Sequence, residues 1–276
     1  MGKSESILIA VGGGEVTESN ELFDEIVRHV NKASDPHLVV MTVATNEPES
    51  AADKYRSMFR SHVKHTSVVD VSTRQDGFSE ASLKKVREAD ALFFTGGDQL
   101  NVTSLMGGSP LDKLVHERYN DGIVIVGTSA GAAMMSSWMI ISGGSGNPPM
   151  VGGVDFAPGM ELLHGTVVDT HFSQRARHGR LLTAVAHYPE ALGIGLDERT
   201  GIVVRRNEFK VVGEGVVTVF DGCDMRHCDL PFRENKQPIG MFGVSIHVLP
   251  AAYKFDLKAR RPISPELKKM ASSSEE

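Results

Sequence analysis

Residues 120–138, NDGIVIVGTSAGAAMMSSW, constrain the fold of this chain more than any other stretch. Ile123-Val124-Ile125-Val126 is an unbroken β-branched run, the pattern of a strand buried on both faces of a parallel sheet. Gly127-Thr128-Ser129-Ala130-Gly131 interrupts it. Residues 132–138 then carry neither Gly nor Pro, which predicts a helix. Strand, G-x-S-x-G turn and helix in that order are the setting of a nucleophile elbow. The turning serine of an elbow sits at a strained backbone angle, and glycines around it keep neighbouring Cβ atoms away. Its hydroxyl then stands at the carboxyl end of the strand, where the free N–H of Ala130 and the helix dipole can stabilise an oxyanion. Capping the helix is the structural alternative for Ser129. The complete small-residue pattern and the apolar strand favour a nucleophile.

The same unit recurs upstream. Residues 7–11 form an apolar run ending in Gly12-Gly13-Gly14, followed by Leu22, Phe23, Ile26, Val27 and Val30 at helical spacing. Thr17 occupies the place of the third glycine of a dinucleotide fingerprint, so the triplet reads as a tight first turn bordering the site. Strands are expected at 38–43, 67–71 and 91–94, and helices at 51–60, 79–88 and 111–119. Strands alternating with helices predict an α/β fold: a doubly wound, mostly parallel sheet with helices on both faces. Ligands of such sheets sit at the carboxyl ends of strands, which aligns Gly12–Gly14, Gly96–Gln99 and Ser129 along one rim. After Trp138 the pattern changes. Residues 142–159 are rich in Gly and Pro and read as a long functional loop. A strand at 166–169 and a helix at 174–187 follow. Short strands at 194–196, 201–205, 210–213, 216–220 and finally 245–249 are expected to add antiparallel to the sheet edge. No repeat or linker divides the chain, so residues 1–270 are expected to form one domain, with 271–276 a disordered tail.

With 41% hydrophobic residues the chain can bury a sizeable core, and a net charge of −6 argues against nucleic acid or an anionic membrane as principal partner. Two cysteines, Cys223 and Cys228, make no disulfide framework, which suits a reducing compartment. They stand near Asp224, His227 and Asp229, but adjacent His227 and Cys228 could hardly share a tetrahedral ion, so neither metal nor cofactor is expected. No signal-like pattern or membrane-length apolar run is present, and a cytoplasmic location is expected. Residues 1–6 satisfy a loose myristoylation pattern, with little tether before the first strand.

A serine nucleophile needs a base, and histidine titrates near neutrality. His29, His37, His62 and His65 fall on early helices or strand starts, where exposed, non-catalytic histidines are expected. His171 instead ends the apolar run at 167–172 and lies on the same rim as Ser129. Residues 193–198, GIGLDE, close another short strand with Asp197 and Glu198, either of which could hold the imidazole. The rival arrangement has the hydrolase order of serine, acid, late histidine, with Asp221 or Asp229 and His247. His247 sits inside an alternating strand, so Ser129, His171 and Glu198 are preferred.

Five blocks now stand in order: FTGGDQL at 94–100, GTSAGA at 127–132, DTHF at 169–172, RARHGRL at 175–181 and GIGLDE at 193–198. Together they resemble cyanophycinase, a serine peptidase of family S51 related to aspartyl dipeptidases, and the resemblance runs from the first strand to about Leu249. It implies a flavodoxin-like or class I glutamine amidotransferase-like sheet, a homodimer, and an exopeptidase acting through an acyl-enzyme. The implied substrate is cyanophycin, poly-aspartate with arginine on each β-carboxyl, or another β-aspartyl peptide. Carried over by position, Ser129 resembles the nucleophile, His171 the base and Glu198 the orienting acid, while Gly97 joins Ala130 in the oxyanion hole. Asp169, Arg175, Arg177 and Arg180 match the block that lines the substrate groove, with Thr170 inside that block and Gln99 beside Gly97 on the rim as further substrate-binding candidates. Arginine grips carboxylate bidentately, and if the segment is helical Arg177 and Arg180 share a face while Arg175 points elsewhere. Two departures stand out. Thr170 replaces the usual glutamine, and Asn147 stands where the family can carry a glutamate proposed for the triad. The alternatives are an isoaspartyl or α-aspartyl dipeptidase of the same family, and a non-catalytic, small-molecule-binding member of the fold.

Overall fold

The computed structural model describes residues 5–14 and 20–265. Most of the lipidation pattern (1–4), Thr17 and the 271–276 tail lie outside the described residues. The amino-terminal half alternates as its sequence implies: β1 (Ile7–Val11), α1 (Glu21–Val30), β2 (His37–Met41), α2 (Pro48–Phe59), β3 (His65–Val69), α3 (Glu80–Arg87), β4 (Ala91–Phe94), α4 (Gln99–Met106), α5 (Pro110–Asn120), β5 (Val124–Thr128) and α6 (Ala130–Ala133). Side-chain oxygens of Asn20, Ser79, Asp98 and Ser109 accept N–H groups at the starts of α1, α3, α4 and α5, satisfying donors that a helix leaves free. Helix α4 went unforeseen, because its exposed face carries little apolar periodicity.

Strands β1, β5, β4, β2 and β3 pair in parallel in that order. Their consecutive residues go to opposite faces of the sheet, and in all but the edge strand β3 both faces are buried. Leu8, Ala10, Val39, Met41, Leu92, Phe94 and Ile125 join one core. Ile7, Ile9, Val11, Leu38, Val40, Phe93, Val124 and Val126 join the other, against Phe23 and Phe59. Burial on both sides is why β1, β2, β4 and β5 read as apolar runs, whereas the edge strand β3 carries His65, Thr66 and Ser67.

The chain then continues through β6 (Trp138–Gly143), β7 (Val154–Pro158), β8 (Thr166–Thr170), α7 (His178–His187), β9 (Leu192–Leu196), β10 (Thr200–Arg205), β11 (Glu208–Gly213), β12 (Val216–Asp221), β13 (His227–Cys228), β14 (Met241–Phe242), β15 (Ser245–Pro250), β16 (Lys254–Asp256) and β17 (Arg261–Ile263). Here the structure corrects five expectations. The helix expected at 132–138 stops at Ala133, because Ser137 N–H and Ser136 Oγ turn to bond the main chain of Thr166 and Val168. The Gly/Pro-rich stretch is framed by a hairpin, β6 against β7, so that only residues 144–153 remain a loop between the two strands. The helix expected from 174 begins at His178, since Ala176 adopts φ 48° and breaks it. Not all later strands extend the first sheet. β10, β11, β16 and β17 do, antiparallel, giving nine strands, whereas β15, β12, β9 and β8 form a separate four-stranded sheet. Nor is β15 the last strand, since β16 and β17 follow it.

His29 also departs from expectation. It is fully buried, bonded through Nε2 to Glu25 at 3.2 Å and near Arg205 at 3.3 Å, and burial beside Arg28 pushes its pKa down to about 4. His247 behaves as expected of a sheet residue, packing on Phe255 at 5.5 Å. Asp221 and Asp229, its rival acids, are taken by Arg260 and Arg233. Among the described residues no group of His, Cys, Asp or Glu is arranged to hold a metal, and no helix is long and apolar enough to cross a membrane.

Candidate active site

The site is organised on the carboxyl end of β1. Three successive main-chain carbonyls there each accept an N–H from one of three other segments. Val11 O takes Ser129 N–H at 2.9 Å, Gly12 O takes His171 N–H at 2.7 Å, and Gly13 O takes Arg199 N–H at 2.8 Å. The elbow, the end of β8 and the end of β9 therefore meet at one turn. That turn must be glycine-rich because the segments come so close. A Cβ on Gly12 would lie 2.1 Å from Asp197 O, and one on Gly14 would lie 2.9 Å from Glu198 Cβ.

Ser129 occupies φ 53°, ψ −113°, a strained conformation that turns its side chain out of the strand. The surrounding glycines are needed sterically, since a Cβ at Gly127 would stand 2.0 Å from Gly131 O, and one at Gly131 would stand 2.4 Å from Phe94 O. Ser129 Oγ lies 2.9 Å from His171 Nε2, and His171 Nδ1 lies 2.7 Å from Glu198 Oε1. With Nδ1 protonated toward the carboxylate, Nε2 is left as the acceptor for the serine hydroxyl. His171 itself has φ 49°, so its backbone is also held in a sparsely populated region. Burial, with Arg175 and Arg177 nearby, holds the imidazole below its ordinary pKa, while the hydrogen bond to Glu198 opposes the shift. Such a group is neutral, and therefore able to accept a proton, at pH 7.

Gly97 stands beside the serine at φ 142°, where a Cβ would be 2.0 Å from Ala44 O. The Asp98 N–H donates to that same carbonyl at 2.7 Å, locking the turn. Among the described residues the N–H groups of Gly97 and Ala130 make no main-chain hydrogen bond. A cavity of about 210 Å³ opens here, lined by Gly97, Gln99, Ser129, Asp169, Thr170, His171, Arg175, Arg177 and Arg180. Nearly every residue expected at the site is thus brought to one hollow.

The arginines behave differently from a simple substrate grip. Asp169, only 2% exposed, receives Arg180 bidentately, with Nε at 2.6 Å and Nη2 on the other oxygen. Arg177 Nη1 reaches the same carboxylate at 3.3 Å and Thr170 O at 2.6 Å. Two guanidiniums share one carboxylate, so the hollow keeps an excess of positive charge. Burial, opposed by Asp169, pushes the Arg177 pKa down to about 10. Arg175 is exposed at the rim. Gln99 donates its amide to Ile140 O, where a β-bulge interrupts the β6–β7 ladder. Ile140 and Ile141 line the cavity through this hairpin, and nothing in their sequence pattern signals it. Asn147 is not among the residues lining the cavity, and its carbonyl packs closely over Gly179.

The profile of peptidase family S51 matches residues 8–212, which takes in the parallel strands, the elbow and the His171 and Glu198 segments. The chain belongs to peptidase family S51. Cyanophycinase of Geminocystis herdmanii is 32% identical over 262 residues, covering 94% of this chain and 96% of that protein. Cyanophycinase of Trichormus variabilis is also 32% identical, over 87% of this chain and 81% of its own length. In fold, this S51 peptidase is similar to a peptidase from an acI-B1 actinobacterium, with TM-score 0.65 at 20% identity over 80% of this chain and 93% of that one. The protein is a serine peptidase with an α/β fold built on a mixed sheet.

Proposed function

We propose that this S51 peptidase hydrolyses cyanophycin to β-Asp-Arg dipeptides, using Ser129, His171 and Glu198 as its triad. The contact chain from Ser129 Oγ through His171 to Glu198, at 2.9 and 2.7 Å, carries the reading. His171 Nε2 takes the hydroxyl proton as Ser129 Oγ attacks the scissile carbonyl, and Glu198 stabilises the imidazolium that forms. The N–H groups of Gly97 and Ala130 receive the oxyanion. His171 then returns the proton to the leaving amine, and water cleaves the acyl-enzyme by the same route. The product dipeptide carries carboxylates as well as a guanidinium, which suits a hollow with an excess of positive charge at Arg175, Arg177 and Arg180. Gln99 and Thr170 supply neutral polar contacts beside them.

Thr170 supports a second reading, an isoaspartyl or α-aspartyl dipeptidase, because its short side chain reaches less far into the cavity than the glutamine usual in the resemblance. Incubation with insoluble cyanophycin and with a panel of aspartyl dipeptides, with products identified by mass, separates the two. Release of β-Asp-Arg from cyanophycin is expected. Cleavage of dipeptides alone would overturn the substrate while leaving the triad standing. The proposal includes a single catalytic domain and a homodimer, which light scattering checks.

A further inference from the structure

Two turns beside the triad are held to each other in a way the serine chemistry does not by itself require. Gln174 Oε1 accepts the main-chain N–H of Glu198 at 3.0 Å. In return, Asp197 Oδ1 accepts the main-chain N–H of Ser173 at 3.0 Å, while its Oδ2 accepts Val216 N–H at 3.2 Å. The turn after His171 and the turn carrying Glu198 therefore exchange hydrogen bonds in both directions, each through a side chain close to the residue it serves. We infer that Gln174 and Asp197 are positioning residues, a reciprocal clamp that sets the Glu198 carboxylate against the His171 ring. The inference rests on the assignment of Ser129, His171 and Glu198 above.

The physical need for a clamp comes from exposure and strain. The Glu198 side chain is 28% exposed, and a carboxylate that open to water has several rotamers of similar energy. His171 sits at φ 49°, a conformation that persists only where surrounding bonds over-determine it. Asp197 is buried, 5% exposed, so both its oxygens work in a setting where a lost acceptor leaves a main-chain N–H unpaired. Gln174 is exposed, and its removal perturbs no core packing. At Gln174 a clamp on the acid therefore predicts a loss in turnover without a matching loss in stability.

The test uses the full chain and a fluorophosphonate, whose reaction is independent of substrate identity. The Ser129 Oγ–P bond forms, fluoride leaves, and the hydroxyl proton passes to His171 Nε2. Labelling rates are followed against pH by intact mass. Gln174→Ala is expected to slow labelling roughly ten- to a hundredfold, the scale of a misplacement approaching 1 Å. Its melting temperature should change by no more than about 2 °C, as for an exposed substitution. The acid limb should move to lower pH, because the Glu198 bond that supports imidazolium is weakened. Gln174→Glu keeps an acceptor at the same reach and should restore the rate to within about threefold. Asp197→Asn should slow labelling by a factor similar to that of Gln174→Ala; should it fail to fold, Gln174→Ala decides alone. A Gln174→Ala protein labelled at the wild-type rate with the wild-type pH profile would overturn the clamp and leave the triad intact. Labelling of the wild type at a residue other than Ser129 would overturn both.

Discussion

Gly13→Ala isolates the part of the site that is least visible in the sequence. A Cβ built at Gly13 lies 2.4 Å from both Cε1 and Nε2 of His171, against a comfortable carbon contact of about 3.5 Å or more. The ring must retreat by roughly 1 Å. It has nowhere to retreat without lengthening its bond to Ser129 at 2.9 Å or to Glu198 at 2.7 Å. A 1 Å misplacement costs about a hundredfold in rate, or about 2.7 kcal/mol of transition-state stabilisation. Separately, φ 91° at Gly13 is unfavourable for alanine by about 1 kcal/mol of folding stability. Gly108→Ala is the control. Gly108 has φ 73°, but a Cβ there would meet nothing within 4 Å, so the backbone penalty is present without the clash. Both variants should lose a few degrees of melting temperature, and only Gly13→Ala should lose kcat/KM. Measurement of kcat/KM beside calorimetric melting decides the matter. If Gly13→Ala keeps more than about a third of wild-type kcat/KM, the ring is not held against this turn as described.

Ser129→Ala and His171→Ala should each reduce turnover by about a million-fold, and the double variant should be scarcely worse, since the pair acts as one unit; multiplicative losses in single-turnover assays would refute this. Because burial holds the His171 pKa below its ordinary value, the neutral base persists as pH falls, and the acid limb of kcat/KM should lie below about pH 6.5. Arg175→Gln should move that limb upward by removing a nearby cation. Asp169→Asn leaves Arg177 and Arg180 largely buried with no counter-charge and should cost about 3 kcal/mol or more, read as a melting temperature lower by several degrees; a loss under about 2 °C would contradict the burial argument. His29 has a folded-state pKa near 4, below its unfolded value of about 6.5, so the unfolded chain takes up the proton first. Its contribution is present above pH 6.5 and lost as pH falls toward 4, and His29→Leu should flatten melting temperature across that window.

Much of the parallel half was legible in the sequence because its strands are buried on two faces and its turns are punctuated by glycine. The run at 123–126 followed by Gly127-Thr128-Ser129-Ala130-Gly131 admits few conformations, since the close approaches at Gly127 and Gly131 tolerate no side chain. The ends of β8 and β9 announced His171 and Glu198 in the same way, as polar residues closing apolar runs. The second sheet was not legible. β9 and β12 have the same local pattern whether they extend the first sheet or form another, and the choice depends on partners distant in the chain. Helix α7 lost its first turn to a left-handed Ala176, a conformation that alanine adopts only under tertiary constraint.

Local sequence thus determined which residues carry reactive groups and at which strand ends they stand. Their meeting was decided by tertiary structure: three carbonyls of the β1 turn bind N–H groups of Ser129, His171 and Arg199, residues far apart in the chain. The fate of the arginines was decided there too. Sequence spacing placed Arg177 and Arg180 on one side, but only the packed structure brings both onto Asp169. The reason is that a charge buried at 2% exposure must find counter-charges, and which groups lie within reach is a property of the folded chain and not of its local sequence.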